Sequence, residues 1–185
     1  CFSDITDFIA AHGPGTYTVG NGAFSTGFGG DFGKYGAWCI VVVYANPDEP
    51  FNSVRVIDGF QEVYNGGTGT IYSITLTGLN TPSDTLLPAE AKLGTAVWEG
   101  DARFNGDFFR VNNIPLGNAV NPVNNIWNGT VTINGAHVTT KNPSYTDQMS
   151  IDIDEFYIGS GYGIPVDANS IQLRFGTTQD QYFSG

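Results

Sequence analysis

Trp127-Asn-Gly-Thr-Val-Thr-Ile133 runs into Asn134-Gly135 and then into His137-Val-Thr-Thr140. Val131, Thr132 and Ile133 are β-branched, stiff at χ1 and suited to a pleated surface. Asn-Gly supplies the two positive φ angles of a type I′ turn, whose twist matches that of paired strands. The stretch therefore predicts a β-hairpin, with 137–140 pairing back on 127–133. The same grammar extends in both directions. Downstream, Met149-Ser-Ile-Asp-Ile-Asp-Glu-Phe156 alternates, with Ile151 and Ile153 on one face and Asp152 and Asp154 on the other. Ser170–Phe175 reads as the last long strand, and Tyr182-Phe183 lies near the end.

Upstream, Thr70–Thr77, Leu93–Trp98 and Asp107–Val111 read as strands. Trp38-Cys-Ile-Val-Val-Val-Tyr44 is almost continuously apolar and predicts a central strand buried on both faces. Ser53–Asp58 alternates, with Val54 and Val56 on one face. Asn46-Pro-Asp-Glu-Pro50 and Asn65-Gly-Gly-Thr-Gly69 are turns. Asn80–Ala91 and Asn112–Asn125, rich in Asn and Pro, are loops. Ser3–Ala11 is the one helical stretch, capped by Ser3 or Asp4 and ended by Gly13-Pro14. Gly13–Gly36 carries too many glycines for a helix despite the spacing of Phe24, Phe28 and Phe32. It reads as a loop or an exchanged arm. Short strands at intervals of roughly 8–12 residues, with almost no helix, predict an all-β sandwich with long Gly/Asn/Pro-rich loops. A jelly roll is among the arrangements this pattern allows. No linker or repeat divides residues 1–185, so a single domain is expected.

The net charge is −11, from 18 acidic and 7 basic residues. Nucleic acid is a poor partner for such a chain, since phosphate binding needs clustered Lys and Arg. The longest apolar run falls far short of the ~20 residues of a spanning helix. Polarity comes instead from Asn, Thr, Ser, Gln and Gly, a composition common in extracellular β proteins. Cys1 and Cys39 are compatible with one disulfide; a buried free thiol at Cys39 is the alternative. Cys1 also fits a lipidation site or a truncation point.

Catalytic motifs are absent. Neither His12 nor His137 has zinc-site spacing, and no nucleophile elbow or phosphate loop appears. The chain therefore reads as a non-enzyme. Its acidic residues suit calcium, which takes six to eight oxygens and accepts loop carbonyls where carboxylates run out. Asp58, Glu99, Asp101, Asp152 and Asp154, near strand ends, are the candidate ligands; solvated strand-edge charges are the alternative. Trp38, Trp98 and Trp127 lie in apolar strands and are expected in the core.

Successive blocks carry a resemblance. Phe2-Ser-Asp-Ile-Thr-Asp-Phe-Ile9, Gly15–Val19, Tyr35–Tyr44 and Arg55–Phe60 are followed by Lys92-Leu-Gly94, Trp98-Glu-Gly-Asp101, Asn121-Pro-Val-Asn-Asn125, Lys141–Tyr145 and Gln179–Phe183. In this order they resemble an uncharacterised all-β module of large bacterial secreted and cell-surface, adhesin-like proteins. The resemblance implies an extracellular or cell-surface location and supplies no catalytic residues. Modules of that family carry further strands before the block at Phe2 and one after the block at Phe183, and Cys39 stands where they seldom have cysteine. Such missing strands imply either that the sequence is a fragment of a longer polypeptide or that the sheets are completed from another chain, with Gly20–Gly36 or Thr177–Gly185 as donor and Trp38–Tyr44 or Ile171–Phe175 as the open edge. The expected function is thus an extracellular structural or adhesive module that assembles with copies of itself or other surface proteins, by strand exchange, into a filament or surface layer. The alternative is a calcium-dependent, lectin-like glycan-binding module.

Overall fold

Alternation of buried and exposed side chains builds two sheets that share one core. A computed structural model describes residues 2–24, 26–27, 36–66, 71–84 and 90–184. Cys1 and most of the Gly-rich stretch 25–35 lie outside them, as do residues 67–70 and 85–89 of the turn and loop predicted there. By its contacts the chain divides into two units, Cys1–Trp38 and Cys39–Gly185.

The first unit holds the predicted helix, α1 (Thr6–His12). The N-cap is Ile5, with no side-chain cap bond, and not the expected Ser3 or Asp4; Asp4 Oδ1 accepts from the Thr6 amide at 2.9 Å, and Gly13 ends the helix at φ 68°. Phe8 stacks on His12 and meets Tyr17 edge-on, with ring centroids 4.3 and 6.0 Å apart.

Among the described residues the second unit holds ten strands: β1 (Gln61–Tyr64), β2 (Ile71–Thr77), β3 (Ala91–Trp98), β4 (Phe108–Val111), β5 (Ile114–Pro115), β6 (Val131–Ile133), β7 (Ala136–His137), β8 (Ile151–Ile158), β9 (Ser170–Gly176) and β10 (Gln181–Ser184). One sheet has the order β1-β10-β3-β8-β6-β7 and the other β2-β9-β4-β5. The pairs are antiparallel except β6–β8, which is parallel. Val63, Val97, Phe156, Ile158 and Tyr182 from the first sheet meet Phe109, Val111, Ile171, Leu173 and Phe175 from the second in one buried cluster. Trp127 lies between them, with its ring 5.8 Å from Phe109, 6.5 Å from Phe156 and 6.2 Å from Tyr182. The fold is the all-β sandwich that the strand spacing predicts.

The Asn134-Gly135 hairpin forms as expected, with φ 49° and 76° and Ile133 opposite Ala136. It is shorter than predicted, because Asn128, Gly129 and Thr130 leave the strand to bind Asp152. A Cβ at Gly135 would also stand 2.9 Å from the Asn118 side chain. Gly135→Ala is therefore expected to lower unfolding stability by about 1 kcal/mol or more, read by urea denaturation. An unchanged midpoint would show that this turn tolerates a side chain.

Five expectations are corrected. Trp38–Tyr44 forms no strand and is exposed, with Trp38 at 51% and Tyr44 at 79%. Ser53–Asp58 is likewise irregular and exposed. A β-branched run becomes a strand only where a second backbone accepts its hydrogen bonds, and among the described residues none pairs with 37–60. Ile171–Phe175 is no edge, because β9 sits between β2 and β4. Residues 181–184 are no free donor either: β10 lies between β1 and β3. Of the three tryptophans, Trp127 is core, Trp98 is half-buried and Trp38 is exposed.

Candidate functional site

β8 places two aspartates where apolar residues would be expected. Its buried face carries Asp152, Asp154, Phe156 and Ile158, while Ile153 and Tyr157 face outward. The pleat has period two, so Phe156 and Ile158 in the core oblige Asp152 and Asp154 to point the same way. These two are therefore buried carboxylates and not solvated edge charges.

Asp152 is held by backbone. Its Oδ1 accepts from the amides of Asn128, Gly129 and Thr130 at 2.9, 2.9 and 3.1 Å. Its Oδ2 is buried with no hydrogen-bond partner. Burial raises its pKa to about 7 against the pull of those three amides, and Asp154 adds to the rise.

Asp154 ends a polar chain. Thr132 Oγ1 lies 2.6 Å from Asp154 Oδ1 and 3.0 Å from Asn121 Oδ1. One hydroxyl hydrogen cannot serve both oxygens. The Asn121 nitrogen donates to Thr130 Oγ1 and the Ile126 carbonyl at 3.2 and 3.4 Å, which fixes the amide's orientation. The chain is satisfied when Asp154 carries a proton and donates it to Thr132, which donates in turn to Asn121. Burial, which raises the Asp154 pKa to about 6, favours that proton.

Above Asp152 sits the turn Glu99-Gly100-Asp101. The β3–β8 ladder closes at Trp98 opposite Ile151. Beyond it, Glu99 adopts φ 73° and Met149 and Ser150 adopt 55° and 67°, while the Glu99 amide donates to the Ser150 carbonyl at 2.6 Å. Left-handed backbone costs an ordinary residue roughly 1–2 kcal/mol, and such strain gathers at functional sites. Gly100 is required by contact: a Cβ there would stand 2.1 Å from Asp152 Oδ2 and 2.8 Å from the Trp127 carbonyl oxygen. Asp101 is half-buried; its Oδ1 accepts from Ser150 Oγ at 3.3 Å, and its carbonyl accepts from Asn125 Nδ2 at 3.2 Å.

Three residues not anticipated from the sequence belong to the same cluster. Asp107, just before β4, is fully buried, and neither carboxylate oxygen has a hydrogen-bond partner. Burial raises its pKa to about 8; the Thr177 hydroxyl eases its charge without hydrogen-bond geometry to either oxygen, and Asp180, Asp152 and Glu99 push the value further up. Asp180 Oδ1 accepts from the Gln181 amide at 2.8 Å, while Oδ2 is buried without a partner; burial raises its pKa and Asp101 adds to the rise. Asn125 is 5% exposed and its Oδ1 has no partner. The recurrence of Gly-Asp at 100–101 and 106–107 is the signal that points to Asp107.

Of the sequence-predicted ligands, Glu99 and Asp101 flank Gly100 in the turn above Asp152, Asp154 shares the buried face of β8 with Asp152, and Asp58 is exposed in the irregular segment just before β1. Asp58 is set aside because Ser53–Asp58 forms no strand. Cys39 is exposed, which corrects its expected burial; its pairing with Cys1 lies outside the described residues. Among the described residues no helix is long and apolar enough to cross a membrane, and no three His, Cys, Asp or Glu side chains stand at the mutual distances of a finished metal site. Comparison with known proteins finds no family model, no curated protein and no solved structure that matches this chain.

Proposed function

We propose that this chain is an extracellular structural or adhesive module that associates with copies of itself through residues 39–60. The observation that carries this reading is the exposure of a strand-like apolar segment. Val41, Val42, Val43 and Tyr44, then Phe51, Val54, Val56, Ile57 and Phe60, are all exposed, Phe51 at 93%. A soluble module rarely leaves so much contiguous apolar sequence uncovered unless a partner covers it.

The occupant fits the chain itself. Residues 40–44 have the composition of a buried strand and lack a ladder. β1, which follows the segment, is the terminal strand of the six-stranded sheet. Each copy thus carries both a strand-like segment and a sheet edge. Adding the segment of one copy to the sheet edge of the next gives the segment a ladder, and a head-to-tail contact of this kind propagates instead of closing. The resemblance to surface-protein modules fits the same reading.

Net charge −11 opposes contact between copies, so association is expected to strengthen with salt. Light scattering should give a mass that grows with protein concentration and with salt. Val42→Lys, at an exposed position, should hold the protein at one mass. A wild-type chain that stays monomeric at high concentration and high salt would falsify the assembly reading.

A further inference from the structure

We propose that Asp107 and Asp152, with the amide oxygen of Asn125 and the carboxylate of Asp180, bind one calcium ion beneath the Glu99-Gly100-Asp101 turn. This inference is independent of self-association. Its basis is a shared pattern of half-anchored side chains. Asp152 spends Oδ1 on three amides and keeps Oδ2 without a partner. Asp180 spends Oδ1 on the Gln181 amide and keeps Oδ2. Asn125 spends its nitrogen on the Asp101 carbonyl and keeps Oδ1. Asp107 keeps both oxygens, although it is fully buried. In each anchored residue one atom fixes the position and leaves an acceptor over.

Buried acceptors without donors are costly, and an ionised carboxylate without a counter-charge is costlier. The four side chains leave five oxygens over and carry charge of one sign; the neighbouring Tyr182 hydroxyl, within electrostatic reach of Asp107, and Trp127 Nε1 are likewise buried without partners and are too few to serve all five. Asn125 makes the point independently of the acids, since a neutral amide buried at 5% exposure gains nothing from a proton. Asp107 feels Asp180, Asp152 and Glu99 as like charges. Like charges repel, and among the described residues no three of these carboxylates stand at ligand distances. A divalent cation reverses the sign of that interaction and draws them in.

The donor set selects the ion. Zinc prefers nitrogen and sulfur, and the cluster has no His or Cys. Magnesium demands a near-ideal octahedron and keeps its waters, whereas calcium accepts an irregular shell of six to eight oxygens at about 2.3–2.6 Å. Gly100 lies directly against Asp152 Oδ2 and the Trp127 carbonyl, where no side chain could take its place.

The test uses the whole chain, first stripped with chelator, and calcium, magnesium or terbium as the probe. Calcium at about one hundred times its dissociation constant should raise the melting temperature by about 5–10 °C. Magnesium should raise it less. Terbium should show luminescence sensitised by Trp127 and displaced by calcium. Asp107→Asn should melt no lower than wild type in chelator, which shows that it folds, and should lose the calcium shift; Asp180→Asn should lose most of it. No calcium shift in wild type, or an equal shift and equal terbium saturation in Asp107→Asn, overturns the proposal. The second outcome would place the bound ion on exposed carboxylates instead.

Discussion

Trp127→Ala is expected to lower unfolding stability by about 3–5 kcal/mol, a large part of the 5–15 kcal/mol typical of a domain. Trp127 is 2% exposed and touches rings from both sheets: Phe109 on one side, Phe156 and Tyr182 on the other. Truncation loses the transfer energy of the indole and leaves a void where the sheets meet, which neither can fill without moving a strand. It also loosens the backbone against which Gly100 packs, so the acidic turn should open in the same variant. Trp127→Phe keeps most of the volume and should lose much less. Urea unfolding of the three proteins separates these outcomes. A loss under about 1 kcal/mol for the alanine variant would mean that the sheets do not depend on this contact.

In chelating buffer, stability is expected to fall as pH rises from about 4 to about 8. Asp107, Asp152 and Asp154 are held at about 8, 7 and 6, in each case chiefly by burial, against 3.8 for an ordinary aspartate. Below 3.8 these groups are protonated whether the chain is folded or not. Above it the unfolded chain ionises first, so the folded chain binds more protons and each rise in pH favours unfolding. The slope is about 1.4 kcal/mol per pH unit for each proton so held, and it ends where the folded groups have ionised. Asp107→Asn cannot ionise at this position. It should flatten the upper part of the profile and exceed wild type at pH 8. With calcium bound the wild-type trend should reverse, because protons and metal compete for the same oxygens. Denaturant midpoints at each pH, with and without calcium, provide the reading. A metal-free profile that rises between pH 5 and 8 would contradict the burial of these carboxylates.

Local chemistry alone determined much of this protein. Asn134-Gly135 specifies its turn because those residues tolerate positive φ. Thr70–Thr77, Leu93–Trp98 and Ser170–Phe175 specify strands because β-branched and aromatic residues suit a half-buried pleat. The alternation of Met149–Phe156 separates aspartates from isoleucines. These signals lie within a few residues of one another, and together they determined an all-β sandwich, with one short α-helix among the described residues.

Tertiary structure decided what depends on a distant neighbour. Alternation says that Asp152 and Ile153 face opposite ways; only Phe156 and Ile158 in the core decide that the aspartates face inward. Asp107, just before β4, and Asp152, on β8, belong to different sheets, and only the packing of those sheets brings Asp107 within electrostatic reach of Asp152, Asp180 and Glu99. The valines at 41–43 illustrate the same limit in reverse. Their side chains are those of a central strand, yet a strand also needs a partner backbone, and no property of residues 38–44 can state whether one is present. Periodicity encodes which faces are apolar; whether a face or an edge is covered is a property of the assembled molecule.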